Sequence, residues 1–278
     1  MLSIITRYIV ILFLSLYLIF SLLNRIGNNS DSEPRSFITW MSIASHSGHE
    51  TENFQHSISL LPTSDPNNTS VGSAFFTSFI ITSLSLLLIW LIVTLLNTLL
   101  IRSPRVVTSL AALINNTLEL LSGLHVLVYG LILYIMFGVD VNSLVIMFVI
   151  GVGSNIYFDL SSEQRLFLHA ILEKDYVLNA RATGDSVLKH IFRPVGVFTI
   201  AQLLGSWPTV LTNAIFIEIV FQRYGIGSLL YQNIFAPGRK DMFPEVDILM
   251  YVSGIVIVSI LLVSLLKELF MLQLRDDR

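Results

Sequence analysis

The sequence of 278 residues has no cysteine and few charged residues. The absence of cysteine excludes disulfides and thiolate metal sites. Charged residues make up 13% of the chain and hydrophobic residues 54%, whereas a soluble domain carries about 25% charged residues. A chain of this composition cannot solvate a globular surface, which places it in a lipid bilayer. The net charge of −3 also argues against a nucleic-acid partner.

Six segments are apolar over the roughly 20 residues that a helix needs to cross a bilayer. They lie at about 4–24, 73–101, 118–138, 142–160, 195–222 and 247–271. We therefore predict an all-α polytopic membrane protein with six transmembrane helices. The first apolar run lacks the small-residue cleavage site of a secretory signal peptide, so it is predicted to remain as a membrane helix.

The apolar segments divide the chain into three parts. Residues 1–24 are the first membrane helix, 25–72 a polar loop, and 73–278 a membrane core with five helices. Cytoplasmic segments of membrane proteins are enriched in Lys and Arg. With the N-terminus in the cytoplasm, eleven of the 16 basic residues lie inside and five outside. We expect both termini and residues 161–193 in the cytoplasm, and the 25–72 loop on the opposite face.

Residues 161–193 are polar and long for a connection between two membrane helices. One interpretation is a solvated connector. The other is a docking element, because 161–182 contain neither Gly nor Pro. These residues predict a helix capped by Ser161 or Ser162. A turn at Gly184 and a second short helix ending at Pro194 are expected to follow.

The predicted helix has an apolar face, because Leu166, Ala170, Val177 and Ala180 recur at helical spacing. Ala180 and Gly184 lie four residues apart, and small side chains let another backbone approach closely. The pattern therefore favours a surface that a partner protein could contact.

Two motifs of this sequence resemble those of a known family. The first, "DYVLNARATG" at 175–184, resembles the cytoplasmic loop D-Y-V-x-x-A-R-A-x-G of the inner-membrane permeases of peptide and nickel ABC importers. Its matching residues are Asp175, Tyr176, Val177, Ala180, Arg181, Ala182 and Gly184. The second, "EIVFQRYGIGSLL" at 218–230, is similar to the family's E-x-V-F-x-x-P-G-L-G-x-L-L. Its matching residues are Glu218, Val220, Phe221, Gly225, Gly227, Leu229 and Leu230, and Tyr224 stands where the family has Pro.

The resemblance implies a type I ABC importer permease, with a cytoplasmic coupling helix between the fourth and fifth membrane helices. Such a chain forms half of a translocation path in the bacterial inner membrane, for peptides or a related small solute. The implied partners are a homologous second permease subunit, two cytoplasmic ATPase subunits, an extracytoplasmic substrate-binding protein and membrane lipid. The residues implied to engage the ATPase are Asp175, Tyr176, Ala180, Arg181, Ala182 and Gly184, and those of an outer turn are Phe221, Gly225 and Gly227.

The chain lacks the G-x-x-x-x-G-K-[ST] loop that binds nucleotide phosphates. We therefore expect that it is not an enzyme and binds no cofactor, and that its partner subunits use the ATP. We also expect no metal site, because nothing in the pattern around His46, His49 and His56 fixes a ligand geometry.

Three polar residues of the fifth apolar segment are candidates for lining the path: Gln202, Asn213 and Glu218. A polar amide in lipid needs a partner or a water-filled cavity, and an ionisable residue within a span is a functional candidate. Glu218 has an alternative, because a side chain near the end of a span can reach interfacial water. Glu119 is expected at the interface, and His125 as a packing residue.

Two other functions remain open from the sequence. An ion-coupled secondary transporter would show inverted repeats, broken helices and membrane carboxylates. A non-transport membrane scaffold or sensor would use the 25–72 loop as its working surface and 161–193 as a connector.

The charge distribution makes a testable prediction about topology. A reporter fused near Ser64 should be exposed outside the cell, and one within 161–193 should be cytoplasmic. Protease added to intact cells is the measurement. Cleavage at residue 180 with protection of residue 64 would contradict the topology.

Overall fold

The apolar segments form helices because an α-helix satisfies its backbone hydrogen bonds internally, as a bilayer requires. A computed structural model describes residues 2–27, 71–102, 105–235 and 246–276. The regular structure of these residues is entirely helical: α1 (Leu2–Gly27), α2 (Val71–Arg102), α3 (Arg105–Ser122), α4 (Val126–Phe137), α5 (Ser143–Val152), α6 (Ile156–Leu172), α7 (Asp175–Thr183), α8 (Val187–Val220), α9 (Ile226–Phe235) and α10 (Val246–Asp276). The histidines of the predicted outer loop lie outside the described residues.

Three helices of the described part are long and apolar enough to cross a membrane: Val71–Leu100, His190–Val220 and Val252–Leu272. Two bent pairs raise the number to five if each pair is one span. The chain is therefore all-helical, with three to five candidate membrane spans among its described residues. In α1, the apolar stretch of the described residues is the short Thr6–Ser15.

The predicted third and fourth spans are both broken. Helices α3 and α4 meet at 97°, and α5 and α6 meet at 60°. Residues 106–117 lie within α3, which continues to Ser122. The first break ends at His125, whose Nδ1 accepts a hydrogen bond from the Leu127 N–H and caps α4. The second contains Ser154 and Asn155, both with left-handed backbone.

The two breaks bind each other through the backbone. The Ser154 N–H donates to the Leu124 carbonyl at 3.0 Å, and the Asn155 N–H donates to the Ser122 carbonyl at 2.7 Å. These bonds satisfy carbonyls that the ends of helices leave without an intrahelical partner. Gly153 permits the approach, because a Cβ there would lie 3.2 Å from Val126 Cα.

The segment 161–182 is two helices rather than the one predicted. Ser161 does not cap a helix: it lies within α6, fully buried, and its Oγ donates to Asn115 Oδ1 at 3.2 Å. Helix α6 ends at Leu172, and α7 begins after Lys174. The predicted short helix ending at Pro194 is also wrong, because α8 continues through that proline to Val220.

The predicted apolar face does not form one surface. Val177 and Ala180 of α7 are buried, whereas Leu166 of α6 is 71% exposed and Ala170 is exposed. The reason is the interruption between Leu172 and Asp175, which breaks the helical periodicity that the sequence pattern assumed.

Contacts divide the chain into two units. One comprises Met1–Ile80 and Glu218–Leu262, and the other Ile81–Ile217 and Val263–Arg278. The first contains the turn between α8 and α9 together with the start of α2. The second contains both helix breaks, α6 and α7.

Gly153→Ala should destabilise the protein, because its methyl group would press on Val126 and separate the two breaks. Overpacking of this kind costs about 1–3 kcal/mol, measurable as a lower thermal unfolding midpoint in detergent. Gly123→Ala is the control, since a Cβ there meets its nearest atom at an ordinary 3.4 Å. Equal midpoints for the two variants would contradict this account.

Candidate functional site

The short helix α7 carries the first motif and ends in a Schellman turn. The Asp185 N–H donates to the Ala180 carbonyl at 2.8 Å, and the Gly184 N–H donates to the Arg181 carbonyl at 3.3 Å. Gly184 has φ of +75°, which a residue without a Cβ adopts readily. Asp175 in the first turn and Arg181 in the last have the charges that the helix dipole favours. The motif therefore specifies a helix with a defined end.

Most of α7 is exposed. Of the residues implied to engage an ATPase, Asp175, Tyr176, Arg181, Ala182 and Gly184 are exposed. Ala180 is only 5% exposed. The expected small surface of Ala180 and Gly184 is therefore absent, because Ala180 packs within its own chain.

The space beside Gly184 is open: no atom of the described residues lies within 4 Å of a Cβ built there. After the turn, Asp185 accepts from the Ser186 N–H at 2.7 Å, and its other oxygen lies 2.9 Å from His190 Nε2. These contacts connect the turn to the first residues of α8.

The second motif forms a buried carboxylate site around Glu218, which is 2% exposed. Ser78 Oγ donates to its Oε1 at 2.6 Å, and the Gly227 N–H donates to its Oε2 at 2.8 Å. The Ile226 N–H donates to Ser78 Oγ at 2.9 Å. Glu218 therefore does not reach interfacial water, and the alternative placement of its side chain is wrong.

This site caps α9 with groups from two other helices. The first N–H groups of a helix lack intrahelical acceptors, and here Ile226 and Gly227 donate to Ser78 of α2 and Glu218 of α8. A carboxylate at this end also interacts favourably with the helix dipole.

Gly225 makes the carboxylate site possible. A Cβ at Gly225 would lie 2.3 Å from the carboxyl carbon of Glu218, so any other residue collides with it. The resemblance implied a turn at Gly225, and the structure shows a close approach to Glu218 there. The left-handed backbone of the turn lies at Gln222, with φ of 50°.

The remaining residues of the outer-turn motif are also placed. Phe221 is buried. Tyr224, which replaces the proline of the family pattern, is hydrogen-bonded through its hydroxyl to Ser73 Oγ. The departure from the pattern therefore brings a contact between the turn and α2.

Gln202 and Asn213 have partners within the bundle. Gln202 Nε2 donates to the Leu160 carbonyl at 2.9 Å, and Asn213 Nδ2 donates to the Ile150 carbonyl at 3.2 Å. Asn213 Oδ1 also accepts from Ser154 Oγ at 3.1 Å. Both amides are buried and connect α8 to α5, α6 and the second break.

Sequence reasoning missed a polar network on α6. Tyr157 and Ser161 both donate to Asn115 Oδ1 of α3, and Arg165 forms an ion pair with Glu119 of α3. Asn115 Nδ2 also donates to Glu119 Oε1 at 2.7 Å.

The same face of α6 contacts α2 through Gln164, which is hydrogen-bonded to Asn97 and Thr94. A signal was present in the sequence, since polar residues recur on α6 at spacings of three and four and amides interrupt the apolar runs of α2 and α3.

Comparison of the chain with protein-family models and with curated protein sequences finds no match.

The carboxylate site predicts a non-additive pair of substitutions. Gly225→Ala should destabilise the protein by about 1–3 kcal/mol, because the new methyl group collides with Glu218. In Gly225→Ala/Glu218→Ala the collision is absent, so the loss should be at least ~1 kcal/mol smaller than the sum of the single losses. Unfolding free energies in detergent measure this cycle.

Gly196→Ala is the control for the cycle, because no described atom lies within 4 Å of a Cβ at Gly196. Its effect should add to that of Glu218→Ala. Additive losses for Gly225→Ala and Glu218→Ala would show that the two residues do not contact.

Proposed function

We propose that this chain is a transmembrane permease subunit of an ATP-driven importer. The observation that carries the proposal is α7: an exposed helix of nine residues, between α6 and the long apolar α8, with a defined glycine end. It bears the motif that resembles the coupling helix of peptide and nickel importers. The bilayer part of the proposal is supported by the three to five candidate spans.

The surface of α7 is suited to bind another protein. Tyr176 and Leu178 are 44% and 47% exposed, and Arg181 is exposed beside them. Tyr and Arg are the side chains that most often dominate binding energy at interfaces. Val177 and Ala180 anchor the opposite face in the chain itself, so the helix can transmit a force without detaching.

The mechanism follows from this arrangement. The sequence has no nucleotide-binding loop, so the energy comes from ATPase subunits that hold α7 on the cytoplasmic side of a bacterial inner membrane. When two such subunits close on ATP, α7 moves with them and displaces α6 and α8. The six-helix permease, with a homologous second permease subunit, alternates between inward-open and outward-open packings. A binding protein delivers a peptide or a related small solute.

A second candidate function is an ion-coupled transporter. Two observations favour it: the two bent helix pairs and the buried Glu218. Against it, the groups at both features already have partners within the chain: the carbonyls of Ser122 and Leu124 accept hydrogen bonds from the other break, and Glu218 accepts from Ser78 and Gly227. The ABC importer subunit is therefore the better-supported proposal.

Gly184→Val should prevent binding of the ATPase. A β-branched residue at positive φ is strained, at a cost of about 1–3 kcal/mol, and the end of α7 would change. We expect normal membrane abundance, at least tenfold less ATPase on pull-down and loss of uptake. Gly184→Asn is the control, because Asn tolerates the left-handed region. It should retain ATPase binding and uptake.

Arg181→Glu should reduce ATPase recovery similarly through charge reversal, whereas Lys174→Glu, at the other end of α7, should have a smaller effect. Parental recovery and uptake in both Gly184→Val and Arg181→Glu would refute docking at α7. Uptake that survives ATP depletion but stops when an ionophore dissipates the ion gradient would favour the ion-coupled transporter.

A further inference from the structure

One side chain fixes the position of α6 along α2. Gln164 Oε1 accepts from Asn97 Nδ2 at 2.8 Å, and its Nε2 donates to Thr94 Oγ1 at 3.1 Å. Thr94 and Asn97 are three residues apart, on the same face of α2. Hydrogen bonds depend steeply on distance and angle, so these two bonds define one register between the helices.

Among the described residues, the hydrogen bonds of Asn97 use only the nitrogen of its side-chain amide. Asn97 is 1% exposed, and its Nδ2 donates to Gln164 and to the Ser161 carbonyl. Its Oδ1 is buried and has no hydrogen-bond partner among the residues that the structure describes. A buried acceptor without a donor is costly, and each such group in a native protein calls for an explanation.

A second register would supply the missing donor. If α6 moves toward Asn97, Gln164 Nε2 can leave Thr94 Oγ1 and donate to Asn97 Oδ1. Thr94 is half-buried, so its released hydroxyl can bind water or the carbonyl one turn earlier. Thr98 Oγ1 makes such a bond to the Thr94 carbonyl at 2.7 Å. The number of hydrogen bonds made by Gln164 is then the same in both registers.

We propose that Gln164 is a positioning residue that holds α6 in one of two registers on α2, with its Nε2 on Thr94 in one and on Asn97 Oδ1 in the other. Helix α7 follows α6 after Glu173 and Lys174, so a change of register displaces α7. The two registers rest on contacts within the chain. The inference that the ATPase subunits change the register rests on the proposed function.

The absence of cysteine makes a distance measurement direct. Leu95 on α2 and Leu166 on α6 are both exposed, so Leu95→Cys and Leu166→Cys can carry the two spin labels. Pulsed electron paramagnetic resonance on the purified full chain in lipid nanodiscs then measures the distance between α2 and α6. We expect two distances a few ångströms apart, since residues three apart on a helix are separated by roughly 5 Å.

Two substitutions should change the populations in opposite directions. Thr94→Val removes the acceptor of the observed register, and should raise the second population about two- to tenfold, as expected for the loss of one hydrogen bond. Asn97→Leu removes the acceptor of the second register and should leave one distance. Thr98→Val is the matched control and should leave the ratio unchanged, because that hydroxyl bonds its own helix.

A single distance that neither substitution changes would overturn the inference. Thr94→Val alone decides the question if Asn97→Leu does not fold, since it is a substitution of equal size at a half-buried position. A further arm adds ATP and the ATPase subunits that the parent chain recovers on pull-down. Two distances in a chain that recovers no ATPase would support the registers and contradict the proposed function.

Discussion

Backbone hydrogen bonding between the two helix breaks is the constraint on which the second unit depends. A bilayer offers no partner to a free N–H or carbonyl, and each break exposes several. Here Ser154 and Asn155 donate to the carbonyls of Leu124 and Ser122. The two bent pairs therefore form together, since moving one break would leave groups of the other unpaired. Helix α6 starts at this junction, so its direction is set at its first turn.

The sequence predicted the helical class and the three long helices because length and hydropathy alone determine them. It did not predict the breaks, because neither contains a proline. Gly153, Ser154 and Asn155 are residues typical of turns, and Asn tolerates left-handed backbone, yet an apolar run surrounds them. The bend at Asn155 is stabilised by the carbonyl of Ser122 on another helix, and a local pattern carries no information about that partner.

The same distinction between local signals and long-range contacts applies to the candidate sites. The sequence placed Gly184 and Gly225 at turns, because a glycine requirement is local and visible in one sequence. They did not reveal that Ala180 faces its own chain, or that Glu218 binds the Gly227 N–H. Contacts such as Asn97 with Gln164 join residues 67 positions apart. They depend on how each helix is rotated about its axis, which the packing of the whole unit decides.

Helix α6 is held differently on its two sides, and this decides how it can move. Toward α8, the rings of Phe167 and Phe198 stack with centroids 3.9 Å apart and planes 3° apart. Gln202 of α8 also donates to the Leu160 carbonyl of α6 at 2.9 Å, so this side combines a flat apolar contact with one directional hydrogen bond. Toward α2 and α3, the contacts are hydrogen bonds and an ion pair, which allow only particular geometries. In the proposed two registers, these directional contacts limit α6 to discrete positions rather than a continuous range, and α7, two residues beyond its end, moves with it.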